Sequence, residues 1–122
     1  MARHRIDRIN EEIRKDVIEI IRDLVKDPRI SEMSTVTKVE TTKDLRYAKV
    51  YVSVLGSEEE RLNTIEGLKS AAGFIRKELG SRLEVRYIPE LQFVLDNSIA
   101  YSVEISRKLN ELRLEQEKQD DD

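Results

Sequence analysis

Cysteine is absent from this 122-residue chain. Without thiols there is neither a disulfide nor a thiolate metal site, which fits a reducing compartment. Histidine is nearly absent: His4 stands alone. A metal site or a catalytic dyad needs converging ligands, and the sequence shows none around it. No apolar run approaches the roughly 18 residues of a membrane span. The opening Met1-Ala2-Arg3-His4-Arg5-Ile6 has no apolar stretch of the secretory-signal kind. Repeats and Pro/Gly/Ser-rich linkers are missing too, so a single domain is expected. A strong excess of positive charge is also lacking, since the net charge is -3. Four of the 22 basic and seven of the 25 acidic residues lie from Glu104 onward, so 18 of each sign remain before it. A neutral body argues against bulk, non-specific nucleic-acid binding, so any such contact must rest on local clusters.

What is present is a run of amphipathic segments. Ile6, Ile9, Ile13, Val17, Ile20, Ile21 and Leu24 fall on one helical face, and Asp27-Pro28 ends that helix. Ser34–Thr41 reads as a strand of uncertain register, because Val36 and Val39 have opposite parity. After a connection at Thr42–Leu45, residues 46–54 form a clearer strand. Ala48, Val50, Val52 and Val54 alternate there with Tyr47, Lys49, Tyr51 and Ser53. Ser57 with Glu60 three residues on predicts a capping box. The helix it opens carries Leu62, Ile65, Leu68, Ala72, Ile75 and Leu79 as its apolar stripe and stops at Gly80-Ser81. Leu83, Val85, Tyr87, Leu91, Phe93 and Leu95 share one parity and predict a long strand broken at Pro89. Asp96-Asn97-Ser98 offers a cap for a last helix with Val103, Ile105, Leu109 and Leu112 on one face. The expected fold is α+β, in the order α-β-β-α-β-α. It has a three-stranded sheet covered by helices on one face. Residues 1–112 form the domain, and 113–122 an acidic tail expected to be disordered.

One feature stands out in the second long helix. Gly73 sits inside the helical pattern, where glycine costs about 1 kcal/mol relative to alanine. Lys69, Gly73, Arg76, Lys77 and Gly80 form a second stripe beside the apolar one. A kink at Gly73 would open the backbone to a phosphate, with Arg76 and Lys77 neutralising it. The plain alternative is a solvated helix face with a tolerated glycine. Arg82 and Arg86 alternate with Glu84, either as surface ion pairs or as an extension of the cationic track. Arg3, Arg5 and Arg8 crowd a helix N-terminus, which the helix dipole disfavours. They are either a solvated start or a hint of an anionic partner. Tyr47 and Tyr51 could stack bases, but packing beneath a neighbour is the preferred reading. Asp44 and Asp96 suit turn and cap hydrogen bonds rather than a carboxylate pair.

The helix–strand order, with a glycine-containing break in the second helical segment, resembles the type II KH RNA-binding domain. The usual Gly-x-x-Gly is replaced by Ala71-Ala72-Gly73. That replacement is similar to the ribosome-binding factor A family, as are several further segments. These are Arg3–Ile9, Asp27-Pro28-Arg29-Ile30, Asp44–Ser53, Pro89-Glu90-Leu91-Gln92-Phe93 and Asp96-Asn97-Ser98. The resemblance runs from about Arg3 to Leu112 and adds a kink to the order, α-β-β-α-kink-α-β, with a C-terminal helix. It implies a bacterial cytoplasmic factor associated with cold adaptation, and, with no nucleophile–base or metal constellation in the sequence, no catalysis, cofactor or metal is expected. Such a factor binds the immature small ribosomal subunit, aids late maturation and processing of its ribosomal RNA, and leaves with the help of an assembly GTPase. The expected RNA-contact set is Lys69, Ala71, Ala72, Gly73, Arg76, Lys77, Arg82 and Arg86, with Arg3, Arg5 and Arg8. A monomer is expected, because no unexplained apolar seam remains. The reading from another class is a protein-interaction module without direct RNA contact.

Overall fold

The computed structural model describes residues 2–96. Two helices and three strands follow in the order α1 (Ala2–Leu24), β1 (Ser34–Thr41), β2 (Tyr47–Val54), α2 (Glu58–Arg82) and β3 (Glu90–Leu95). The expected last helix and the 113–122 tail lie outside the described residues. The sheet order is β1-β2-β3. β1 pairs antiparallel with β2 through the hairpin, and β3 returns parallel to β2 after the α2 crossover.

The core forms where both helices cover one face of the sheet. Ile13, Val17 and Ile20 of α1, Val36 and Val39 of β1, Val50 and Val52 of β2, Leu68, Ile75 and Leu79 of α2, and Leu91 and Phe93 of β3 are buried together. Each of the larger aliphatic side chains stabilises the fold by about 1.5–3 kcal/mol through its burial. Leu24, by contrast, ends α1 on the exposed side.

The parity conflict in β1 is resolved by a bulge. The register shifts between Val36 and Lys38, so Val36 pairs with Val52 and Val39 with Val50, and both valines reach the core. The Thr37 hydroxyl at the bulge donates to the Asp96 carboxylate at 2.6 Å, across the width of the sheet. At the hairpin, the Asp44 carboxylate accepts from the Thr42 hydroxyl and the Arg46 N–H, a turn role as expected. Leu45 takes a positive φ of 59° there, and its half-buried side chain packs on the core.

The capping box of α2 is present: the Glu60 N–H donates to Ser57 Oγ and the Ser57 N–H donates to the Glu60 carboxylate. Three expectations for the rest of the chain need correction. First, α2 is one uninterrupted helix from Glu58 to Arg82, so the break at Gly73 is not seen. Its amides stay in the helical ladder rather than opening at the start of a new helix. Second, Gly80-Ser81 does not stop α2, which runs to Arg82 before the Leu83 N–H bonds back to the Leu79 carbonyl at 3.0 Å. Third, β3 starts only at Glu90. Residues 83–89 precede the first partner that β2 offers, Tyr47 opposite Glu90, so they have nothing to pair with. Leu62 is also exposed rather than buried. It lies six residues from Leu68, roughly 120° round the helix. In that first half of the helix Thr64 and Gly67 are buried instead. The Thr64 hydroxyl donates to the Glu60 carbonyl and accepts from the Ser31 N–H. A Cβ at Gly67 would stand 2.8 Å from Ile30 Cγ1, so only glycine lets the α1–β1 connection lie this close to α2.

Candidate nucleic-acid interface

The stripe Lys69, Gly73, Arg76, Lys77 and Gly80 lies on the outer side of α2 because the core claims Leu68, Ile75 and Leu79. Its five members are all exposed. Lys69 and Lys77 are eight residues apart, about 12 Å along the helix axis. Neither ammonium has an ion-pair partner among the described residues. Between them, a Cβ placed on Gly73 would meet nothing within 4 Å among the described residues beyond its own helix. The fold therefore makes no steric demand for glycine at this position, in contrast to Gly67. Ala71 and Ala72 are half-buried and pack against the core, off the stripe.

The other predicted cations fall into different situations. Arg76 donates twice to the Ile88 carbonyl, from Nη2 at 3.0 Å and Nε at 3.3 Å, and so holds the α2–β3 connection against the helix. Two of its five donors are used, and the guanidinium stays exposed. Arg82 pairs with Glu19 of α1 at 2.9 Å. Asp16 lies in the same field: burial raises its pKa, with Arg82 acting in the opposite direction. Arg82 thus joins the two helices. Arg86 is exposed and lies 5.4 Å from the centroid of the Tyr87 ring, in the connection and not on a strand face. Arg5 and Arg8 are exposed in the opening turns of α1, Arg3 lies in its first turn, and that turn carries no acidic residue.

Two hydrogen bonds place these groups relative to one another. The Thr41 N–H donates to Asn10 Oδ1 at 3.0 Å, which sets the start of α1 beside the hairpin end of the sheet. The Glu90 N–H donates to the Arg46 carbonyl at 2.8 Å, which brings the end of the α2–β3 connection there as well. Arg5, Arg8 and Arg86 therefore gather near one end of the sheet, with Lys77 approaching it along α2.

Tyr51 is occupied: its hydroxyl donates to Glu40 at 3.1 Å and the Lys38 ammonium sits 4.7 Å over its ring. Tyr47 is 44% exposed. Tyr87 is the aromatic that parity misplaced. It shares the parity of the buried Leu91 and Phe93 yet is 62% exposed, while Leu83 and Pro89 on either side are buried. The sequence signal for this is Pro89, which cannot donate to a strand and so marks where pairing can start.

A groove of about 900 Å³ opens between the second half of α1, the 25–32 connection and β1. None of the predicted contact residues lines it. Its charged lining groups include Arg22 and Asp27, which pair with Asp23 and Arg29. Among the described residues there is no His/Cys/Asp/Glu cluster fit to hold a metal ion, and no helix is long and apolar enough to cross a membrane.

Comparison with known proteins places these features in a family. The family model for ribosome-binding factor A matches residues 5–109. A ribosome-binding factor A of Acetivibrio thermocellus is 58% identical over 107 residues, 88% of this chain and 87% of the relative. The solution structure of a ribosome binding factor A protein of Thermotoga maritima aligns with a TM-score of 0.67 at 41% identity. It covers 74% of this chain and 85% of that one. A homology model of the Thermus thermophilus ribosome binding factor A, fitted into a cryo-EM map of a 30S complex with that factor, aligns with a TM-score of 0.60 at 27% identity. It covers 72% of this chain and 91% of that one. The chain belongs to the ribosome-binding factor A family.

Proposed function

We propose that this protein is a non-enzymatic assembly factor of the bacterial cytoplasm that binds the immature small ribosomal subunit through its ribosomal RNA. It assists late maturation and processing of that RNA and leaves with the help of an assembly GTPase. Family membership supports the partner, as does the Thermus relative fitted into a 30S complex. One observation carries the contact site. Gly73 stands in mid-helix at a cost of about 1 kcal/mol, and no packing contact among the described residues requires it. The open backbone makes room for something outside the chain, and Lys69 and Lys77 frame that opening with two uncommitted positive charges.

The mechanism follows from a continuous helix. Its amides are already bonded, so the site works by close approach and not by donating N–H groups to phosphate. An RNA backbone settles against the smooth face at Gly73, and Lys69 and Lys77 neutralise phosphates on either side. Each phosphate contact adds about 0.7–0.9 to the slope of log K against log salt. Arg76 and Arg82 mainly hold structure, and Arg5, Arg8 and Arg86 extend the field toward the hairpin end. A neutral body with few contacts suits a large structured partner, to which many weak contacts add.

The test is co-sedimentation with immature small subunits over rising salt, comparing wild type with the Lys69→Gln, Lys77→Gln double variant. The expected result is weaker binding and a salt slope lower by about 1.5. Unchanged affinity and slope would point to a protein partner and reject this RNA contact. Arg76 is left intact because its loss would also release the Ile88 carbonyl.

A further inference from the structure

Tyr87 has an unusual setting for a large side chain. It is 62% exposed, and its hydroxyl has no hydrogen-bond partner among the described residues. Its backbone is nevertheless tightly held. Arg76 grips the next carbonyl, that of Ile88, with two hydrogen bonds. The Ile88 side chain packs where Gly80 leaves room, 3.4 Å from an ideal Cβ there. Val85 packs on the core and Pro89 is buried. The turn is therefore ordered in advance, and the ring projects from it with one face lying under the Arg86 guanidinium. An ordered, outward aromatic loses little conformational freedom when it binds.

The charges around the turn limit what the ring can receive. Glu84 and Glu90 flank it in sequence and are exposed, which disfavours a phosphate at the turn itself. The nearby cations are Arg86, whose guanidinium stands over the ring itself, and Lys77 on α2, which adjoins the clamping Arg76 and has no ion-pair partner among the described residues. Phosphates on the helix and a neutral, flat group on the ring is the division of labour seen in single-strand platforms, where bases stack on aromatics beside a cationic track.

We infer that Tyr87 is a stacking platform for an unpaired nucleobase, set at the end of the α2 track by the Arg76–Ile88 clamp. This rests on the reading of α2 as an RNA contact and adds the kind of RNA recognised: a strand with at least one base free to splay out. The base lies on the face of the ring opposite Arg86, whose guanidinium completes a cation–aromatic–base stack.

The experiment titrates the full chain into labelled RNA over rising salt, using a mixed-sequence unpaired strand of about 12 nucleotides and the same strand annealed to its complement. The variants are Tyr87→Ala, Tyr87→Phe and the Lys69→Gln, Lys77→Gln pair, each first shown to melt as a folded protein. Tyr87→Ala should weaken unpaired RNA by about tenfold, the worth of one stacked base. It should leave duplex binding and the salt slope unchanged, because no phosphate contact is lost. Tyr87→Phe should bind like wild type. If Tyr87→Ala binds unpaired RNA like wild type while the lysine pair lowers the slope, the α2 contact stands and the stacking inference falls. An equal loss in Tyr87→Phe would assign the effect to the hydroxyl and overturn stacking. If the lysine pair changes nothing, or neither RNA binds, the reading of α2 fails and this inference with it.

Discussion

Replacing Gly73 with alanine separates a glycine kept for the fold from one kept for a partner. Gly73 lies in the interior of α2, is exposed, and, its own helix backbone and chain neighbours aside, has no heavy atom of the described residues within 4 Å of where a Cβ would stand. The new methyl thus meets no steric cost, and alanine recovers about 0.8–1.0 kcal/mol of helix propensity. For a domain of this size that is a rise in melting temperature of about 3–5 °C. Far-UV circular dichroism during thermal and urea unfolding is the assay, since the chain has no tryptophan. If the proposed contact is right, the same variant should bind small subunits more weakly, because the methyl would occupy the space proposed for the RNA backbone. Two results would refute this reasoning. Destabilisation by 1 kcal/mol or more, roughly the reverse of the propensity gain, would mean that the fold needs glycine here. Stabilisation with unchanged binding would mean that the open site faces nothing.

Further predictions concern the supports of that site. Gly67→Ala should destabilise by about 1–3 kcal/mol in the same urea assay, because its Cβ would stand 2.8 Å from Ile30 Cγ1 in a packed contact; a gain in stability would show that the α1–β1 connection yields freely. Arg76→Gln should cost about 1 kcal/mol and speed amide exchange across the 84–89 connection, with little change elsewhere; uniform exchange would refute the clamp. The Asp27 carboxylate is held below its usual pKa by the Arg29 guanidinium and then by the Arg29 N–H. Its contribution is therefore present above the ordinary carboxylate range and is lost as pH falls through the lowered value. Asp27→Asn should melt with a shallower decline below about pH 5 than wild type, and parallel acid limbs would remove Asp27 from the account.

Much of the fold was legible because local pattern and tertiary packing agree. The stripe of α1, the alternation of β2 and the Ser57–Glu60 box each specify an element with little outside help. Misreadings arose where a partner element decides. Whether residues 83–89 pair depends on where β2 begins, which no local pattern in that segment reveals. The bulge that brings both Val36 and Val39 inward is set by opposing Val52 and Val50. Gly67 and Gly73 look alike in sequence, yet one is packed against Ile30 and the other is open. Of the candidate site, the outward stripe was readable from helical spacing. The clamp of Arg76 on Ile88, the pairing of Arg82 with Glu19 and the outward Tyr87 required the tertiary structure, since each joins residues from different elements or a connection.

The most direct test of the central claim is to place a photo-crosslinking side chain at position 77 of α2, and as a control at position 49 on the outer face of β2, and to identify what each captures on immature small subunits. The account predicts covalent capture of small-subunit ribosomal RNA from position 77 and much less from position 49. Capture of a ribosomal protein from position 77, or equal RNA capture from both positions, would contradict it.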